Sequence, residues 1–131
     1  MGKNKLIMTL KALPDTSLSS GELKLYAFDG ENAVGCIELY NYDPVNARTA
    51  VGIVVSTDFR RRGYASAMLA ELALFCRQNT TLHQLYADIA ALNIPSIRLF
   101  ERAGYSLCGT FHDWVSKDGN FIDTHRYQFI L

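Results

Sequence analysis

Net charge is the first thing this chain lacks. Its 131 residues include 13 basic and 13 acidic side chains, so the formal charge at pH 7 is zero. A dedicated nucleic-acid binder shows a basic excess. Neither that excess nor aromatics interleaved on a basic face is present, so no nucleic-acid partner is expected. Cysteine pairing is missing as well. Cys36, Cys76 and Cys108 lie far apart with no CxxC spacing, which supports neither a disulfide framework nor a zinc knuckle. They read as small apolar residues in a reducing compartment. No apolar run approaches the ~18 residues of a membrane span. The start "MGKNKLIMTLKALPDTS" has no apolar segment followed by small residues, as a cleaved signal would. The expectation is a soluble, cytoplasmic protein with no membrane partner. Repeats, low-complexity tracts and internal linkers are absent too, so residues 1–131 are expected to form a single domain.

What is present is a globular composition, 49% hydrophobic and 20% charged, with clear periodicity. Residues 1–21 are weakly patterned, and "KLIMTLKAL" suggests a short helix ended by Pro14. "ELKLYAFD" and "AVGCIELYN" are strand-like runs around "GEN", a hairpin signal. "TAVGIVVS" is apolar almost throughout, as for a strand covered on both faces. The period then becomes helical. Ala65, Met68, Leu69, Leu72, Ala73 and Cys76 form one stripe at i, i+3, i+4, i+7, i+8 and i+11. "QLYADIA" is a strand and "NIPSIRLFERAG" a second helix, with Pro95 near its start and Gly104 past its end. "YSLCGTFHDWVSK" and "FIDTHRYQFIL" flank a turn at "DGN". The order β-β-β-α-β-α-β-β predicts an α/β fold: a mixed, mostly antiparallel sheet with a central β-α-β crossover and flanking helices.

The stretch "RRRGYA", residues 60–65, stands where the apolar strand "VGIVV" and the loop "STDF" give way to a helix. A helix start presents unpaired N–H groups and a partial positive charge. Gly63 lets backbone approach a ligand or adopt positive φ. Ala65 and Ser66 keep the first turn uncluttered, and Arg60, Arg61 and Arg62 add charge-assisted donors. Cations at a helix start are unfavourable by ~0.3–1 kcal/mol unless an anion offsets them. The local chemistry points to a phosphate.

The same residues resemble the Arg/Gln-x-x-Gly-x-Gly/Ala signature of GNAT-type N-acetyltransferases, with Arg60, Gly63 and Ala65 at the defining positions. "NIPSIRLFERAGY" is similar to a second family block, at Asn93, Ser96, Gly104 and Tyr105. The tail "GT…DGNFIDTHRYQFIL" looks like the branch that acetylates polyamines or protein N-terminal amines. The resemblance covers roughly residues 22–131. It implies an acyl-CoA N-acyltransferase-like fold, acetyl-CoA as co-substrate, no metal, and transfer to a primary amine. It further implies that Ile53, Val54 and Val55 lie along the pantetheine arm at a splay between parallel strands. Arg60, Arg61, Arg62, Gly63, Tyr64, Ala65 and Ser66 would hold the pyrophosphate. Asn93 would reach the pantetheine, with Ser96 and Phe100 at the thiol end.

Two departures from the family bear on activity. Phe100 stands where members often have a tyrosine whose hydroxyl protonates the leaving thiolate, so the proton donor is unknown. Tyr40, Tyr42, Tyr64 and Tyr105 are candidates to replace it. Members also carry a strand and two helices ahead of the first hairpin, where only 21 residues stand here. That shortening implies a missing wall of the acceptor site and an exposed sheet face, hence a possible homodimer. Glu38 is a candidate to accept the ammonium proton, and Tyr40 and Tyr42 share a face that lines the acceptor groove or packs. A two-residue turn at Asp118–Gly119 would set His112 opposite His125 with Asp113 and Asp123 nearby, but the spacing fits no known metal site type. His83 stands alone in a helix-to-strand loop. The expected function is acetyl transfer to a primary amine; the alternative is a catalytically weak CoA-binding module of the same fold.

Overall fold

The computed structural model describes residues 8–131. Its elements are β1 (Thr9–Ala12), β2 (Glu22–Asp29), β3 (Asn32–Asp43), β4 (Arg48–Val55), α1 (Tyr64–Asn79), β5 (Gln84–Ala90), α2 (Ile94–Arg102), β6 (Ser106–Lys117) and β7 (Asn120–Ile130). The strands form one sheet in the order β1-β2-β3-β4-β5-β7-β6. Its one parallel pair is β4–β5, which is where the chain crosses over through α1. The fold is therefore the mixed, mostly antiparallel α/β sheet that the periodicity predicts.

Both helices pack on one face. Alternation along β2 and β3 turns Leu23, Leu25, Ile37 and Leu39 toward them and Lys24, Tyr26, Cys36, Glu38 and Tyr40 away. Met68, Leu69, Leu72 and Cys76 of α1 and Phe100 of α2 close over this apolar face and over Leu85 and Tyr127 in a single cluster. Each fully buried Leu or Met side chain there contributes roughly 1.5–3 kcal/mol. Packing is tight enough to require Gly35, where an added Cβ would stand 2.4 Å from the Val54 carbonyl oxygen and 3.0 Å from Met68 Cε. The opposite sheet face carries no helix among the described residues.

Three local expectations are corrected. The segment "KLIMTLKAL" is not helical where it is described: Thr9–Ala12 pairs with β2 as an edge strand, and the earlier residues lie outside the described range. A nine-residue run is too short to hold a helix on its own against a waiting sheet edge. The connection 13–21 holds turns and no helix. Next, "TAVGIVVS" is not covered on both faces. Thr49, Ala50 and Val51 are buried but Val54 is 62% exposed, because it points to the helix-free face beyond the point where β5 parts from β4. Finally, Asp118–Gly119 does form a two-residue turn between Lys117 and Asn120, both residues at positive φ (51° and 80°). Yet bulges in β6 shift the register, so His125 faces Thr110 and not His112.

Candidate active site

β4 and β5 pair at Arg48–Gln84, Thr49–Leu85 and Ala50–Tyr86 and no further. β4 nonetheless runs on to Val55 and β5 to Ala90. The other edge of β4 stays laddered to β3 as far as Val55–Gly35, so the strand end is held straight while its β5 side is left open. Backbone groups of residues 51–55 on that side have no strand partner, a condition that calls for water or a ligand.

The chain leaves this strand end through a short 3-10 turn, Thr57–Phe59, and enters α1. Arg60 Nε donates to the Val55 carbonyl at 3.1 Å. Arg61 and Gly63 adopt left-handed φ of 62° and 81°, which costs the arginine but suits the glycine. The first helical bond runs from Ala67 N–H to Gly63 O at 3.2 Å, so the N–H groups of Tyr64, Ala65 and Ser66 have no intrahelical acceptor. Two contacts fix the turn. The Tyr64 hydroxyl donates to Asp29 Oδ2 at 2.5 Å, tying α1 to the β2–β3 hairpin. The Phe59 ring meets Tyr64 edge-on at 5.8 Å.

A cleft of about 760 Å³ opens along this path. Its walls are the strand end Ile53–Val55, the turn at Arg60, Arg61 and Gly63, the start of α1 at Tyr64–Ser66, and Asn93 and Ser96 of the second motif. The two sequence blocks, some thirty residues apart along the chain, thus meet around one space. Its lining is basic, from Arg60, Arg61 and Arg102, and holds no carboxylate. Arg62 and Phe100 are the exceptions among the predicted residues: the Arg62 guanidinium lies over the Phe59 ring, 5.7 Å from the centroid, outside the lining, and Phe100 lies deeper. Sequence reasoning missed Phe59, Pro95, Leu99 and Arg102. Helical spacing from Asn93 and Ser96 carried the signal for two of them, since Leu99 and Arg102 follow at three-residue steps on one face. At the start of α2, the Asn93 side chain caps the helix by accepting from Ser96 N–H at 3.3 Å.

A smaller pocket of about 200 Å³ sits in the sheet gap itself and shares Ile53, Asn93 and Ser96 with the cleft. Phe100 lines it, 3% exposed, with its ring against Tyr105 at 4.9 Å. Phe100 therefore belongs to the inner pocket and not to the outer cleft. Tyr40, Gly52 and Asp88 join from the helix-free face. Burial, and then the Asp88 charge, push the Tyr40 phenol above its ordinary pKa. Of the four candidate tyrosines, only Tyr40 reaches this pocket. Tyr64 serves Asp29. Tyr105 is buried in the core, and burial raises its pKa. Tyr42 lines a separate crevice with Leu18 and Asn79.

Glu38 lines neither space. It stands opposite Gly52 on β3, and the neighbouring Glu22 carboxyl holds it above the usual carboxylate range. The histidine pair is dispersed: His112 Nδ1 lies 3.2 Å from Asp123 Oδ2 and His125 Nδ1 lies 2.9 Å from Thr110 Oγ1. Among the described residues, no group of three or more His, Cys, Asp or Glu side chains is placed to hold a metal ion, and no helix is long and apolar enough to cross a membrane.

Known proteins resemble this chain in sequence and in fold. The L-amino acid N-acetyltransferase AaaT of Escherichia coli (strain K12) is 24% identical over 74 residues, 56% of this chain and 46% of its own length. The spermidine N(1)-acetyltransferase of Vibrio cholerae serotype O1 is 21% identical over 101 residues, 77% of this chain and 58% of its own. The chain thus spans less than two-thirds of the length of either relative. Among solved structures, spermidine N-acetyltransferase from Vibrio cholerae in complex with CoA and spermine superposes with a TM-score of 0.79 at 18% identity. That match covers 86% of this chain and 67% of the other. A chimera of Vibrio cholerae SpeG with hSSAT gives 0.82 at 17% identity, covering 94% and 95%. At such identities the likeness is one of fold. The sequence pattern of the Acetyltransferase (GNAT) family matches residues 9–105, from β1 to the end of α2. With both motif blocks inside that match and meeting at one cleft, the chain belongs to the GNAT acetyltransferase family.

Proposed function

We propose that the protein is an acetyl-CoA-dependent N-acetyltransferase acting on a primary amine, either a small polyamine-like molecule or a protein N-terminus. The observation that carries this reading is the open edge of β4 running straight into an unpaired helix start ringed by arginines. Such a surface suits a long acyl carrier that ends in phosphates: N–H groups at Tyr64–Ser66 with Arg60 and Arg61 for the pyrophosphate. The strand edge Ile53–Val55, with Asn93 and Ser96, would take the pantetheine arm. Arg62 would add charge at the periphery.

The thioester would then lie at the inner pocket, beside Phe100. The deprotonated amine attacks the carbonyl carbon, the C–N bond forms, and the C–S bond breaks with its electron pair on sulfur. Backbone N–H donors near Val54 and Val55 would stabilise the oxyanion. A bound ammonium first gives one proton to water; after attack a second leaves nitrogen, through water with Glu38, opposite Gly52 on the neighbouring strand, as its acceptor, and one reaches the thiolate. With no hydroxyl on Phe100, water is the donor for the latter, and transfer is slow. We also propose a cytoplasmic, reducing setting, in which Cys36, Cys76 and Cys108 remain the free thiols of the structure.

Exposed Tyr26 and Val54 on the helix-free face, 43% and 62% accessible, support self-association as a homodimer. Light scattering at roughly tens of micromolar should detect it, and monomer alone there contradicts it. Phe100 favours a second reading, a CoA-binding module with weak transfer. A thermal-shift titration with acetyl-CoA, followed by thiol release over an amine panel, separates the two. A shift with turnover supports the enzyme, a shift without turnover the module, and no shift removes both.

A further inference from the structure

The inner pocket holds two ionisable side chains, Tyr40 and Asp88. Asp88 lies on β5 directly across the ladder from Arg126 of β7. Arg126 Nε and Nη2 donate to its two carboxylate oxygens at 2.8 and 2.9 Å. The same guanidinium stacks over the Tyr86 ring at 4.3 Å and the Phe111 ring at 5.1 Å. Side chains from β5, β6 and β7 therefore converge to fix one carboxylate in one orientation.

Stability alone is a weak reason for that arrangement. The two side chains are 35% and 33% accessible, and ion pairs of that exposure typically contribute on the order of 1 kcal/mol. The position is more telling. Asp88 is the one carboxylate lining a pocket whose other walls include Gly52, Ile53, Ala90 and Phe100. An ammonium group entering such a space loses much of its hydration and needs a counter-charge. Two ionised oxygens offer about four lone-pair positions, and the arginine fork takes two, which leaves the pocket side free to accept. At ~30 Å³ for each water-sized group, 200 Å³ admits about six such groups, enough for the thioester end and the amino end of an unbranched chain.

We propose that Asp88 is the acceptor-binding group, taking the primary ammonium of an unbranched alkylamine inside the sheet gap, and that Arg126, held between Tyr86 and Phe111, is its positioning residue. The proposal rests on the amine-acceptor reading above but concerns binding, so it can be tested apart from transfer. The Tyr40 phenol, raised in part by the Asp88 charge, agrees with a carboxylate that acts into this pocket.

The experiment measures n-butylammonium binding by calorimetry to CoA-saturated wild type, Asp88→Asn and Arg126→Lys. Thiol release from acetyl-CoA with n-butylamine runs alongside. Asp88→Asn should weaken n-butylammonium about tenfold or more, the loss of a charge-assisted hydrogen bond, while CoA affinity stays within about twofold, since no CoA contact is assigned to it. Arg126→Lys keeps the charge but not the fork, and should raise the acceptor KM with kcat nearly unchanged. It also decides the matter if Asp88→Asn fails to fold. Wild-type affinity for n-butylammonium in either variant overturns the assignment, as does a wild type that does not bind it. A wild type that binds n-butylammonium through Asp88 and releases no thiol would instead sink the transfer reading and leave this one standing.

Discussion

The outer cleft and the inner pocket are built by different rules. The cleft's phosphate end is made from consecutive backbone: a strand end, a turn with two left-handed residues and a helix start within residues 53–66, with Asn93 and Ser96 facing it from the second motif. The inner pocket is made from side chains brought in by register, Tyr40 from β3, Asp88 from β5 and Phe100 from α2. Backbone recognition of a phosphate needs only local geometry, whereas side-chain recognition of an amine depends on how distant strands pair. The first should therefore tolerate side-chain changes and fail on backbone changes, and the second should do the reverse.

The largest expected effect comes from backbone crowding behind the cleft. Gly35→Ala would push a methyl group against the Val54 carbonyl oxygen, 2.4 Å away, with no rotamer to relieve it. Overpacking of that kind costs about 3 kcal/mol, read as a drop in the chemical denaturation midpoint. An unchanged midpoint would mean that β3 and β4 separate easily and that the strand end is not rigid. Next, acetyl-CoA at about 100 times its Kd should stabilise the fold by about 2.7 kcal/mol. A mixture with no shift in melting temperature would break the comparison at its first term.

Legibility followed the same division. "RRRGYA" and "NIPSIRLFERAGY" each carry their geometry in a few consecutive residues, so the helix starts and the convergence on one cleft were open to sequence reasoning. The stripe from Met68 to Cys76 was equally plain, because helical burial repeats locally. Asp88 and Arg126 were not legible. Their contact spans 38 positions and exists only through the β5–β7 register. The His112–His125 pairing failed for the same reason in reverse, since bulges in β6 moved every partner beyond Val115. Arg62 was indistinguishable from its neighbours in sequence, and only Phe59 beneath it draws it out of the lining.

A change confined to the inner pocket should act on transfer and spare the cleft. Phe100→Tyr should raise kcat at least tenfold, toward the ~10²–10⁴-fold typical of general acid help, with acetyl-CoA affinity unchanged. Single-turnover transfer, wild type beside variant, is the measure. A fast wild type that the tyrosine does not improve would contradict this and assign the proton to Tyr40, the one candidate tyrosine at the pocket. A separate, pH-dependent effect touches neither region. Burial pushes the Cys76 thiol from 9.0 up to about 12. Its contribution to stability is therefore complete below pH 9.0 and is lost as pH rises toward about 12, because only the unfolded chain ionises there. Urea midpoints should fall across that window and fall less in Cys76→Ala. Parallel curves would show that the thiol is not the cause.

The central claim is that backbone at the turn into α1 holds the phosphates of acetyl-CoA. Calorimetric titration of acetyl-CoA into wild type and into Gly63→Val tests it most directly, with folding of the variant checked by circular dichroism. Valine at the left-handed φ of 81° strains the turn and crowds its N–H groups. The expected result is saturable binding to wild type and none detectable to the folded variant. Equal affinity in the two would contradict the account.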